Sequence, residues 1–152
     1  TDDIYEAFYD DYETQKTFFH GHSFTGNPLA CAVALESLRL FEEERVLDRV
    51  RTTAGLLREQ ARLFESCPHV ANVRCLGMVA AFDLVEDPKT GRPYPSAQRR
   101  GYNLYLEALK EGLILRPLGD TIYYWLPHCT TAEQLRDIVD RTCRVLDRLG
   151  YR

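Results

Sequence analysis

Apolar positions along the chain switch between a helical and an alternating rhythm, and the switches mark the elements. From 46 to 64, Val46, Val50, Ala54, Leu57, Ala61 and Phe64 recur at spacings of three and four, which predicts an amphipathic helix. Cys67-Pro68-His69 ends it, because the residue before a proline is pushed out of the helical region. Residues 70–75 and 78–85 then read as two strands joined at Leu76-Gly77, where the glycine predicts a turn or bulge. The proline- and glycine-bearing stretch 86–95 reads as a surface loop. Ser96 is the expected cap of a helix running to about Glu111, with Leu104, Tyr105 and Ala108 inward and Gly112 as its left-handed stop.

Residues 113–116 and 121–126 alternate again and read as strands around the turn 117–120, Pro-Leu-Gly-Asp. Thr131 and Gln134 have the spacing of a capping box. They open a last helix with Leu135, Ile138, Val139, Leu146 and Leu149 inward, ended by Gly150. At the other end, residues 2–9 read as a short amphipathic helix with Ile4 and Phe8 inward, 10–13 as an acidic connector and 17–19 as an extended entry. Asn27 and Pro28 are a good cap and first residue for the next helix. That helix carries Leu29, Val33, Leu38 and Phe41 on a surface wide enough to pack against more than one element, and Glu42-Glu43-Glu44 breaks it. Strands that come in adjacent pairs between helices predict an α+β fold, a small mixed or antiparallel sheet with helices on one face.

Composition narrows the function classes. A chain of 152 residues with 45% hydrophobic and 28% charged residues suits an ordinary globular domain, or a piece of a larger one. A net charge of −4 offers no footing for nucleic acid. No apolar run approaches the roughly 18 residues that a membrane span needs, and no signal-peptide pattern is present. Five scattered cysteines read as reduced thiols of a cytoplasmic protein. The sequence opens without methionine on the helix-like Thr1-Asp2-Asp3-Ile4, which reads as a piece cut from a longer protein.

Candidate chemistry is sparse. Gly21, Ser23, Thr25 and Gly26 place hydroxyls and amides just before a positive helix end, an arrangement that suits a phosphate or serves simply as a cap. His20 and His22 have no third ligand near them, which argues against a metal. Arg116, at the end of an apolar stretch and beside a glycine turn, is placed to hold a carboxylate through a bidentate pair; the plainer reading is an ion pair with Asp120. Tyr123 and Trp125 share one face of their strand, as core, interface or substrate wall. Asp83 reads as a solvent-face residue, and His69 and His128 are given no role. No nucleophile–base set and no Gly-x-x-x-x-Gly-Lys loop occur, and none of Lys16, Lys89 and Lys110 sits where an amine would be activated. No catalytic residue is assigned within the chain.

The run His-Gly-His-Ser-Phe-Thr-Gly-Asn-Pro-Leu-Ala-Cys-Ala-Val-Ala at 20–34 resembles the class III, fold-type I aminotransferases that use pyridoxal 5'-phosphate. Arg-Pro-Leu-Gly-Asp at 116–120, behind Gly-Leu-Ile-Leu, narrows the resemblance to the branch that aminates 8-amino-7-oxononanoate to 7,8-diaminononanoate in biotin biosynthesis. Pro93-Tyr94-Pro95 and Arg99-Arg100-Gly101-Tyr102 fit the same branch, and the resemblance covers essentially the whole chain. It implies that residues 1–26 are a connector and cofactor-phosphate loop on the large-domain side and that 27–152 form the C-terminal small domain. It further implies that Ser23 and the backbone around His22 bind the cofactor phosphate across a homodimer interface. Arg116 is then expected to hold the substrate carboxylate with Tyr123 near it. The family's cofactor-anchoring lysine lies upstream of the matched motifs, so the piece alone is expected to be inactive. Two other readings stay open: a class III enzyme for another ω-amino acid, and a non-catalytic assembly domain. The amino donor, S-adenosylmethionine or lysine, is not legible.

Overall fold

In the computed structural model, which describes residues 1–152, the chain divides into two units, Thr1–Leu40 and Phe41–Arg152. The first unit begins with a one-turn helix α1 (Asp2–Glu6), shorter than the amphipathic stretch predicts. Ile4 and Phe8 are exposed, not inward, because nothing else in this unit covers them. Instead the aromatic rings pair with each other, Phe8 with Phe18 at 5.2 Å and Tyr5 with Tyr9 at 5.1 Å. Helix α2 (Pro28–Glu43) starts where expected. The Asn27 side chain accepts from the amides of Leu29 (3.0 Å) and Ala30 (3.1 Å), and Pro28 has no amide to satisfy. Its apolar side chains Leu29, Val33, Leu35 and Leu38 are exposed on more than one face of the helix.

The second unit is built on the expected rhythm. Helix α3 (Val46–Ala61) continues as a 3-10 turn, Arg62–Ser66, and buries Val46, Leu57, Ala61 and Phe64. Strands β1 (Val70–Leu76) and β2 (Val79–Asp87) form an antiparallel hairpin, with Gly77 at φ +56° in its turn. A bulge between Ala71 and Arg74 places Asn72 at φ +52°. The expected loop 86–95 holds a two-residue strand, β3 (Arg92–Pro93), paired with the far end of β2. Helix α4 (Arg100–Lys110), strand β4 (Thr121–Trp125) and helix α5 (Ala132–Arg148) complete the unit.

Strand β2 is central, flanked antiparallel by β1 and by β4, in the register Val79↔Trp125 to Asp83↔Thr121. Alternation then sorts the side chains. Ala80, Phe82 and Leu84 of β2 and Ile122 and Tyr124 of β4 face the helices and are buried. Phe64 meets Phe82 at 4.8 Å there, and Leu57, Leu104, Leu135 and Val139 close the core from α3, α4 and α5. The other face, with Leu76, Tyr123 and Trp125, is open. The fold is thus the expected α+β layer with helices on one face of an antiparallel sheet.

Two expected features differ. Ser96 does not cap α4; it heads a separate 3-10 turn, Ser96–Gln98, and Arg99 at φ +47° turns the chain into the helix. Residues 113–116 form no ladder, and only one isolated bridge, Leu118↔Thr121, precedes β4. Their alternation is nonetheless obeyed, with Leu115 buried between exposed Ile114 and Arg116. Alternation reports one-sided burial, and here burial occurs without a hydrogen-bonding partner.

Candidate functional site

The stretch that carries Arg116 leaves α4 through a tight stop. Gly112 at φ +74° donates to the Leu109 carbonyl (3.0 Å), and Leu113 donates to Ala108 (2.9 Å), which reverses the chain. Leu115 then sinks into the core, and Arg116 is left exposed with no ion pair. The Asp120 carboxylate, the plainer partner considered from sequence, is taken instead by the Gly101 amide at 2.8 Å. Past the turn, Tyr123 stands half-buried on the open face of β4. Arg116 and Tyr123 line one groove of about 320 Å³, whose other walls include Leu113, Ile114, Trp125 and Ile138. A largely apolar groove lined by an arginine that has no ion pair suits an aliphatic molecule that carries a carboxylate.

The loop before α2 lies in the first unit. The His22 amide donates to Thr25 Oγ1 (2.8 Å), the Thr25 amide returns to the His22 carbonyl (2.9 Å), and the Asn27 amide reaches the Phe24 carbonyl (3.1 Å). The His22 ring stacks on Phe24 at 5.1 Å and meets His20 edge-on at 5.5 Å. The α2 terminus itself has no amide to spare. Asn27 Oδ1 takes those of Leu29 and Ala30, and the Cys31 amide bonds to the Asn27 carbonyl. The Ser23 hydroxyl and the Ser23 and Phe24 amides, by contrast, have no partner in the chain. These loop donors fit a phosphate group, with the α2 dipole behind them.

Sequence reasoning missed two junctions. Asp83 is not a simple solvent-face residue: it accepts from Thr121 Oγ1 (2.7 Å), Asn72 Nδ2 (3.0 Å) and two nitrogens of Arg74 (both 3.1 Å). Partial burial raises its pKa, but the hydrogen bonds from Arg74, Thr121 and Asn72 outweigh this and hold it below the usual carboxylate value. The second junction is Asp120. The sequence offers it as a turn residue and a partner for Arg116, whereas its partner Gly101 lies 19 residues away, beyond any periodic signal.

Comparison with known proteins decides the family. The family model described as aminotransferase class-III matches residues 1–146. The chain belongs to that family. It is 45% identical over 139 residues to the adenosylmethionine-8-amino-7-oxononanoate aminotransferase of Anoxybacillus flavithermus, a match covering 91% of this chain and 31% of that protein. Among solved structures, it is similar to the adenosylmethionine-8-amino-7-oxononanoate aminotransferase of Methanocaldococcus jannaschii, at a TM-score of 0.86 and 31% identity, covering 97% of this chain and 34% of that one. A thermostable omega transaminase from Pseudomonas jessenii is also similar, at a TM-score of 0.78 and 31% identity, covering 90% of this chain and 30% of that one. The class-III chain thus spans about a third of the length of the relatives it matches.

Proposed function

We propose that this chain is the small-domain part of a pyridoxal-phosphate-dependent aminotransferase that converts 8-amino-7-oxononanoate to 7,8-diaminononanoate. The observation that carries the reading is the unpaired Arg116 guanidinium at an apolar groove shared with Tyr123. Arg116 holds the substrate carboxylate by two parallel hydrogen bonds, and Tyr123 closes over the same end. Ile114 and Trp125 give the methylene chain an apolar wall. The named relatives support this substrate.

Bound pyridoxal phosphate supplies the electron sink for exchanging an amino group. The chain's own contribution at the phosphate is the Ser23 hydroxyl with the Ser23 and Phe24 amides, on a loop that His22 and Thr25 brace. This loop serves the cofactor of the partner subunit in a cytoplasmic homodimer, with residues 1–26 on the large-domain side and 27–152 as the small domain. The lysine that anchors the cofactor is none of Lys16, Lys89 or Lys110. Lys16 is paired with Asp10 and Lys110 with Glu107, and Lys89 lies exposed beside β2.

Arg116→Ala in the full-length, cofactor-loaded enzyme tests the reading, with the two half-reactions followed separately by cofactor absorbance. The expected loss is about 2–4 kcal/mol in kcat/KM for 8-amino-7-oxononanoate, with little change for a donor amine that has no carboxylate. Equal losses in both half-reactions, or none in either, reject it. The likeness to the omega transaminase supports a second reading, in which the groove takes a different ω-amino acid. Turnover of such an amine, with 8-amino-7-oxononanoate inert, would favour that one.

A further inference from the structure

Arg116 sits on a segment with no ladder of its own, so its direction must be set from the ends. Both ends are tied to α4. At one end, the Leu113 amide is bonded to Ala108 in the last turn of the helix. At the other, Asp120 Oδ1 accepts from the Gly101 amide in the first turn at 2.8 Å, where the helix dipole favours a carboxylate. Residues 113–117 are therefore strung from one end of α4 to the other, with buried Leu115 as the anchor in between.

The Asp120 end is the more elaborate. The Asp120 carbonyl accepts from the Leu84 amide of β2 (2.9 Å), and Leu118 and Thr121 exchange bonds of 2.9 and 3.0 Å around Gly119-Asp120. Thr121 Oγ1 reaches Asp83 on the same strand β2. The contact with α4 is so close that only glycine fits at 101: a β-carbon there would lie 2.0 Å from the Gly119 carbonyl oxygen and 3.1 Å from Pro117 Cβ. One residue thus joins the turn to a strand through its backbone and to a helix through its side chain.

We infer that Asp120 is a positioning residue for Arg116: its bond to the Gly101 amide holds the 117–120 turn against α4 and so aims the guanidinium into the groove. This rests on the reading of Arg116 as the carboxylate-holding residue. Asp120 touches no substrate in this scheme. Its removal lets the turn lift from α4 and blurs the direction of the fork while Leu115 keeps the segment in the core. A misplacement of about 1 Å in a positioned group costs on the order of a hundredfold in rate, so the fork has little tolerance.

The test uses the full-length, cofactor-loaded enzyme with Asp120→Ala, Asp120→Asn and Arg116→Ala. Nonanoate serves as an unreactive carboxylate probe, and its affinity is measured beside the two half-reactions. Asp120→Ala is expected to weaken nonanoate and to raise KM for the oxo-acid by about tenfold or more, with the half-reaction of a donor amine that has no carboxylate unchanged. Asp120→Asn keeps an oxygen acceptor for Gly101 and is expected to stay close to the parent enzyme. Parent-like behaviour of Asp120→Ala, equal damage to both half-reactions, or an Asn variant as impaired as the Ala variant overturns the inference. If Arg116→Ala leaves nonanoate binding intact, the carboxylate reading falls and the inference with it. If Arg116→Ala abolishes binding while Asp120→Ala does not, the inference alone falls. Should Asp120→Ala not fold, Asp120→Glu keeps acceptor and charge but displaces the turn. It is expected to weaken nonanoate several-fold, and no change there overturns the inference equally.

Discussion

The Tyr124 hydroxyl donates to Thr142 Oγ1 at 2.6 Å inside the core, joining β4 to α5 through a fully buried threonine. Thr142 in turn donates to the Ile138 carbonyl at 2.9 Å, one turn back along α5. The two partners are not equivalent. Without Thr142 Oγ1, the Tyr124 hydroxyl is stranded in apolar surroundings; without the Tyr124 hydroxyl, Thr142 keeps its bond to Ile138.

Thr142→Val is therefore expected to cost about 1–3 kcal/mol, and Tyr124→Phe about 0.5–1.5 kcal/mol. The double variant should cost less than the sum. Urea denaturation of the four proteins in a mutant cycle measures this, and a larger loss for Tyr124→Phe would contradict the asymmetry.

Alkali should act through the same tyrosine. Burial raises the Tyr124 pKa well above its ordinary value of 10.0, and the bond with Thr142 only partly opposes this. The folded state therefore keeps a proton that the unfolded chain releases. Stability from this group is fully present below pH 10.0 and falls as pH rises from there toward the folded pKa. Tyr124→Phe should flatten that alkaline decline, as read from denaturation midpoints across the range.

Asp83 predicts the opposite limb. Its folded pKa lies below the ordinary 3.8, so its contribution is present above 3.8 and lost as pH falls through the folded value. Asp83→Asn should lower stability at neutral pH and reduce its fall in acid. Equal slopes for parent and variant below pH 3.8 would show that the bonds from Arg74, Thr121 and Asn72 do not favour the charged form.

None of the three lysines should carry the cofactor. After pyridoxal phosphate is added to this chain and reduced with borohydride, peptide mass mapping is expected to find no stoichiometric adduct at Lys16, Lys89 or Lys110. Specific labelling of one of them would contradict the proposed role of the chain.

Elements whose stability comes from within the second unit were legible in the sequence. The Thr131–Gln134 capping box forms both of its bonds, and the six inward positions assigned over 46–64 are all buried or half-buried. The signals that misled were those that imply a neighbour without naming it. Ile4 and Phe8 read as inward because they are apolar, yet they stay exposed here. Residues 113–116 alternate like a strand because Leu115 needs the core, not because a ladder exists. The family resemblance set Tyr123 near Arg116, and the structure brings the two to one groove. Asp120 was not, because a side chain that caps a helix across 19 residues leaves no trace in local spacing.

The open sheet face has a built-in reporter. Trp125 is the single tryptophan of the chain and is 79% exposed on that face. An indole in water emits at long wavelength, and one enclosed by apolar neighbours shifts to the blue. Whatever comes to lie over this face will therefore announce itself in the intrinsic fluorescence, with no second indole in the chain to obscure the signal.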